Sequence, residues 1–154
     1  MIIGTIKEKK KFENRVSISP EEVKNYVKSG HQVLVEKNAG LQSGFSDKLY
    51  KEAGASMSSA KDILKSVDIL LKINCPSPDE AKQLKTSSMV ISQLNVQNEI
   101  DSIKIFNSKK VSAFSLERVP RITRAQDMDI LSSQANLAGY HAVIDAAQEF
   151  NRVL

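Results

Sequence analysis

The sequence predicts an α/β protein with a flavodoxin-like, doubly wound, mostly parallel sheet and a long C-terminal helix. Three observations predict it. Short runs rich in β-branched residues alternate with capped helix starts along most of the chain. One of these runs, Asp68-Ile69-Leu70-Leu71-Lys72-Ile73, is almost continuously apolar, as a strand buried on both faces is. The stretch from Asp129 to Arg152 contains no helix breaker except Gly139.

Taken in order, Ile2 to Ile6 reads as the first strand. Ser19-Pro20-Glu21-Glu22 then supplies Ser at the N-cap, Pro at the first helical position and Glu at the third, a helix start by capping and proline logic together. Val23, Tyr26 and Val27 keep helical spacing, and Gly30 stands where a left-handed C-terminal cap belongs. Gln32 to Glu36 is the next strand. Ser46-Asp47 opens a short helix closed by Gly54, and a further helix covers Ala60 to Lys65. The apolar strand at 68–73 is followed by Pro76, Pro78 and a helix from Asp79 to Leu84. Met89 to Ser92, Asn98 to Phe106 and Val111 to Ser115 complete the series as strand, helix and strand. Five strands alternating with helices imply a parallel sheet, with ligands expected beyond the strands' carboxyl ends. The tail helix would run about 35 Å at 1.5 Å per residue. It carries apolar or small residues on nearly every side, so it is expected to be buried against another domain or a second copy of the chain.

Composition narrows the function classes. With 41% apolar and 26% charged residues the 154-residue chain has a globular balance, and no apolar run reaches the roughly 18 residues that span a bilayer. A cytoplasmic or peripheral location is therefore expected. The net charge is +4, yet Trp is absent and, apart from Lys9-Lys10-Lys11, the basic residues are scattered among acids, which argues against a nucleic-acid surface. Cys75 is the only cysteine, so no intrachain disulfide can form, and it reads as an inert thiol. His31 enters a strand and His141 lies within the long helix, and both read as structural. No His/Cys/carboxylate spacing suggests a metal site.

Four stretches, read together, resemble a known family. They are Glu13-Asn14-Arg15-Val16-Ser17-Ile18-Ser19-Pro20 with Gly30 to Glu36; Ala39-Gly40 with Ser43-Gly44-Phe45-Ser46-Asp47 and Tyr50; Val67 to Lys72; and Pro120 to Tyr140, PRITRAQDMDILSSQANLAGY. The set is similar to the family shared by alanine dehydrogenases and the NAD(H)-binding alpha subunit of proton-translocating NAD(P) transhydrogenases. The last stretch resembles the signature loop and helix of the transhydrogenase branch, with Asp127 as a departure where a small polar residue is usual. Where the alanine dehydrogenase branch has a His general acid/base, this chain has Asn95, which cannot exchange a proton in that role. Hydride transfer between two nicotinamides needs only ring alignment.

The resemblance implies a site. Arg121, Asp129 and Ser132 would hold the nicotinamide amide and ribose of NAD(H), and Gln126, the catalytic position, would reach toward an NADP(H) ring on a partner component. The structural alternatives are an Arg121–Asp129 salt bridge pinning the loop and a Ser132 hydroxyl capping its own helix. Arg15 and Lys72 match residues that bind substrate in the alanine dehydrogenase branch, and a structural charge role is the competing reading for both. The six glycines form no G-x-G-x-x-G frame, so the pyrophosphate cradle is expected in a Rossmann domain beyond Leu154. On this reading residues 1–128 form the catalytic-type domain, and residues 129–154 lead into the NAD-binding half.

The implied activity is hydride transfer from NADH to NADP, coupled to proton translocation in the whole complex. The alternatives are an alanine-type amino-acid dehydrogenase fragment and a non-catalytic interaction fragment. Implied partners are the Rossmann half, the NADP(H)-binding component, membrane subunits and a second copy in a homodimer. The implied location is peripheral, on the cytoplasmic face of the inner membrane.

Overall fold

Six parallel strands make one sheet in the computed structural model, which describes residues 1–150. Strands β1 (Ile2–Thr5), β2 (Gln32–Glu36), β3 (Ser56–Ser58), β4 (Ile69–Asn74), β5 (Met89–Gln93) and β6 (Ser112–Ser115) lie in the order β3-β2-β1-β4-β5-β6. Parallel neighbours need crossover connections. Helices α1 (Pro20–Lys28), α2 (Asp47–Glu52), α3 (Ala60–Ser66), α4 (Pro78–Gln83) and α5 (Ile100–Ser108) supply them. Without β3, the remaining five strands have the flavodoxin-like order expected from the sequence. The sixth strand, β3, is an edge of three residues, Ser-Met-Ser, too short and too polar to show an apolar pattern. Its register with β2, Leu34 to Ser56 through Glu36 to Ser58, defines it.

Local chemistry explains the helix starts. Ser19, Ser46, Ser59 and Ser77 each accept a hydrogen bond from a backbone N–H in the first turn that follows. At α4 the box is reciprocal, because Glu80 returns a carboxylate to the Ser77 backbone N–H at 3.0 Å. Gly30 ends α1 at φ +80°, where a side chain would be strained, and its N–H reaches the Val27 carbonyl.

The two-residue period of the strands divides the apolar residues between two cores. Val33 and Val35 pack with Ile18, Val23 and Tyr50 on one face, and Leu71 joins that side. Leu70 and Val90 pack with Ile63, Leu64, Leu84 and Phe106 on the other, joined by Leu34. Helix α3 lies so close to β1 that a Cβ at Gly4 would come within 2.4 Å of Val67 Cγ1 and 2.8 Å of Ile63 Cγ2.

Met1 to Ser115 form one compact unit, and a second begins at Leu116. The second unit holds short 3₁₀ turns at Leu116–Arg118 and Thr123–Met128, then helix α6 (Ile130–Glu149). The expected end of this helix at Arg152 falls outside the described residues. In the single chain no residue of α6 is buried, and Leu137, Tyr140 and Val143 are all more than half exposed, which leaves open to solvent the surface expected to meet another domain or a second copy. Among the described residues, its own unit holds two short 3₁₀ turns besides the helix. Among the described residues, no helix is long and apolar enough to cross a membrane.

Candidate functional site

Connections from β1 and β4, neighbours in the sheet, run to opposite sides: β1 leads through α1 to β2, β4 through α4 to β5. Such a switch point opens a crevice at the strands' carboxyl ends. Arg15 and Lys72 both arrive there, and both are met by carboxylates of the chain itself. Lys72 Nζ lies 3.0 Å from Glu80 Oε2 and 3.7 Å from Glu8 Oε2, with all three side chains almost wholly buried. Burial opposes the charged form of Glu80, but Lys72 and a hydrogen bond from Lys9 outweigh it and hold its pKa below the ordinary value. The β4–β5 register slips between Leu71 and Asn74. Glu8 takes up backbone N–H groups there, accepting from Ile73 at 2.7 Å.

Arg15 grips Glu13 through two nitrogens, Nε to Oε1 at 2.8 Å and Nη2 to Oε2 at 2.7 Å. That bidentate pair lowers the Glu13 pKa from 4.5 to about 2. Asn74 Nδ2 bridges Glu8 and Glu13 at 3.3 and 3.2 Å, joining both ion pairs into one network. The crevice is thus internally neutralised. The structural reading of Arg15 and Lys72 describes these contacts.

The loop Arg121 to Ser132 lies in the second unit. Asp129 is the N-cap of α6: its Oδ1 accepts the Leu131 and Ser132 N–H groups, each at 3.0 Å, and its Oδ2 accepts the Ser132 hydroxyl at 2.6 Å. Those bonds, the Ser132 hydroxyl first, keep the Asp129 pKa below the usual carboxylate range. Arg121 Nε is 3.9 Å from Asp129 Oδ2, the outer limit of an ion pair, and its side chain is two-thirds exposed. Gln126 is exposed, and among the described residues its side chain makes no hydrogen bond. The loop therefore brings Arg121, Asp129 and Ser132 together, with Gln126 on the turn beside them. Of the two alternatives, the Arg121–Asp129 bridge is long, and the Ser132 hydroxyl donates to the capping carboxylate instead of capping the backbone itself.

The family model for the alanine dehydrogenase/PNT N-terminal domain matches residues 4–138. The chain belongs to that family. It is 39% identical over 150 residues to the NAD(P) transhydrogenase subunit alpha of Haemophilus influenzae, covering 97% of this chain and 29% of that protein. The crystal structure of transhydrogenase from Sinorhizobium meliloti superposes with a TM-score of 0.94 at 42% identity, over 100% of this chain and 46% of the other. An L-alanine dehydrogenase structure is a weaker match, with a TM-score of 0.73 at 32% identity over 77% of this chain and 33% of the other. The chain spans less than half the length of each of these relatives.

Within the family frame, Asn95 follows β5 at φ +45°, a left-handed conformation that Asn tolerates better than most residues. Sequence reasoning found the cations of the crevice but not the carboxylates that hold them. One signal was available: Ser77-Pro78-Asp79-Glu80 has the S-x-x-E form of a capping box, which pins Glu80 at a helix start beside the end of β4.

Proposed function

We propose that this chain contributes the nicotinamide-orienting loop of the NAD(H)-binding component of a proton-translocating NAD(P) transhydrogenase. The observation that carries the reading is the arrangement on Asp129, an ionised carboxylate fixed by two backbone N–H groups and the Ser132 hydroxyl, with Arg121 beside it. Oδ2 keeps acceptor capacity for a ribose hydroxyl, the Arg121 guanidinium offers planar donors to a carboxamide oxygen, and the Gln126 amide is uncommitted. These groups fit the polar end of a nicotinamide nucleoside. When bound, NADH supplies the hydride. Arg121, Asp129 and Ser132 fix the plane of the ring, and Gln126 sets its distance from the NADP(H) ring of the partner component. The Rossmann half of the NAD site, the NADP(H)-binding component and the membrane subunits belong to the whole complex, where transfer is coupled to proton movement. The chain itself would sit at the cytoplasmic face of the membrane and pair with a second copy.

The internally paired crevice supports this reading over alanine oxidation. Asn95 offers no acid/base, and Arg15 and Lys72 are occupied by Glu13, Glu8 and Glu80. The test is stopped-flow hydride transfer from a complete NAD(H)-binding component carrying this loop to its NADP(H)-binding partner. Gln126→Asn should slow transfer about a hundredfold, the scale of a 1 Å misplacement, with NADH affinity nearly unchanged. A wild-type rate in that variant would remove Gln126 from its role.

A further inference from the structure

Right-handed crossovers divide the helices between the two faces of the sheet unevenly. From β1 the chain steps outward to β2 and β3, and α1 and α2 pack on one face through Val23 and Tyr50. The later steps, β3 to β4 to β5 to β6, run the other way. Helices α3, α4 and α5 accordingly pack on the opposite face through Ile63, Ala81 and Phe106. No crossover among the six strands therefore lays a helix over the β4–β5–β6 half of the first face, although a parallel sheet is ordinarily covered on both. The register draws an apolar row across that half: Leu71 pairs with Ile91, and Ile91 with Phe114. Leu71 packs at the margin of the α1–α2 core. Among the described residues Ile91 and Phe114 belong to neither core, and Phe114 is 54% exposed.

Helix α6 is the second open apolar surface of the same chain. Leu137, Tyr140 and Ile144 follow one another at helical spacing and are 61%, 71% and 46% exposed. A Cβ added at Gly139 would meet nothing within 4 Å, so the backbone there is open to close approach. We propose that α6 of one copy docks on the β4–β5–β6 face of a second copy, whose own α6 docks on the first, a two-fold exchange. The proposal rests on the pairing with a second copy in the reading above, and it names the surfaces that make the pair. Both halves of the contact are in this chain, and their dimensions match. Three strands about 4.8 Å apart form a strip roughly as wide as one helix, about 10 Å. At 20 residues α6 is about 30 Å long, enough to run the length of the strip. A helix laid there covers on the order of 400 Å² on each side, so two reciprocal contacts reach about 1,600 Å², the size of a stable specific interface.

The test is sedimentation of this chain across a concentration series, with one variant on each surface. Wild type should dimerise. Phe114→Lys and Leu137→Glu each put an unpaired charge into both contacts of the pair and should weaken dimerisation about a hundredfold. Both positions are more than half exposed, so the folded monomer tolerates the change. Phe114→Ala and Leu137→Ala, which add no charge, should each weaken it about tenfold. Mixing Phe114→Lys with Leu137→Glu should restore dimerisation, because one contact of the mixed pair is unaltered and the other sets lysine against glutamate. Pairing of α6 with α6, or of sheet with sheet, would instead leave one of the two charged variants dimeric by itself. A wild type that stays monomeric to about 100 μM overturns the exchange and gives the open face to another domain. So does a charged variant that dimerises like wild type, or a mixture no tighter than its components. The hydride-transfer reading is decided separately, by Gln126→Asn.

Discussion

Lys72 Nζ lies 3.0 Å from Glu80 Oε2 in a site where both side chains are at most 4% exposed, and Glu8 approaches the same nitrogen at 3.7 Å. One ammonium thus bridges carboxylates from two different segments, with Lys9 as the second cation on Glu80. Removing it would leave Glu8 and Glu80 close together in a place where water hardly reaches, with Lys9 the remaining cation on Glu80. Breaking a buried pair from one side costs about 3–5 kcal/mol. Lys72→Met should lose that much in urea unfolding at neutral pH, although Met fills similar volume. A loss below ~1 kcal/mol would mean that the pair is solvated and contributes little to the fold.

Glu13 gives a pH signature. Its folded pKa is about 2, below the ordinary 4.5, chiefly because Arg15 donates to it. A depressed carboxylate pKa means that the contribution to stability is fully present above pH ~4.5 and is lost as pH falls toward ~2. Arg15 is half exposed, so screening reduces the value to the order of 1 kcal/mol. Wild type and Glu13→Gln should therefore differ in thermal midpoint at pH 6 and converge as pH falls through about 2. Equal midpoints at pH 6 would show that the pair adds nothing.

Gly4 tests the packing of α3 on the central strand. A Cβ there would sit 2.4 Å from Val67 Cγ1, and both Val67 and Ile63 are fully buried. The helix must move or the side chains must leave their rotamers, at a cost of about 1–3 kcal/mol. Gly4→Ala should lower stability by that amount, and Gly4→Ala with Val67→Ala should recover part of it. Wild-type stability in Gly4→Ala would show that α3 is free to shift.

Much of this was legible in the sequence because it is local. Ser19-Pro20-Glu22 marks a helix start within four residues, and the apolar run at 68–73 marks a buried strand without reference to the rest of the chain. Strand β3 was not legible: three residues with two serines become a strand only through pairing with Leu34 to Glu36. Lys72 was visible as a charge inside an apolar run. Its partners Glu8 and Glu80 come from other elements, and only the fold brings them within reach. What covers α6 was not legible for a related reason. Its all-round apolar pattern reports that something is made to cover it, but not whether that is another domain or a second copy of the chain.

Asp129 does two things that one substitution can separate. It caps α6 through Oδ1, which accepts two backbone N–H groups, and it holds a negative charge beside Arg121 through Oδ2. Asn caps a helix about as well as Asp but carries no charge, whereas Ala does neither. If Asp129 serves only the helix, Asp129→Asn should resemble wild type, and Asp129→Ala should lose about 1 kcal/mol of stability. If it also holds the nicotinamide ribose, Asp129→Asn should keep wild-type stability yet weaken NADH binding by about tenfold, the worth of one charge-assisted hydrogen bond. The measurement is NADH titration and urea unfolding of both variants in a complete NAD(H)-binding component. Ser132→Ala provides the internal control. Its hydroxyl donates to Oδ2 and helps to keep the carboxylate ionised, so its loss should weaken NADH binding less than Asp129→Asn does. Unaltered NADH affinity in Asp129→Asn would return this residue to a purely structural role and leave Arg121 and Gln126 without their anchor.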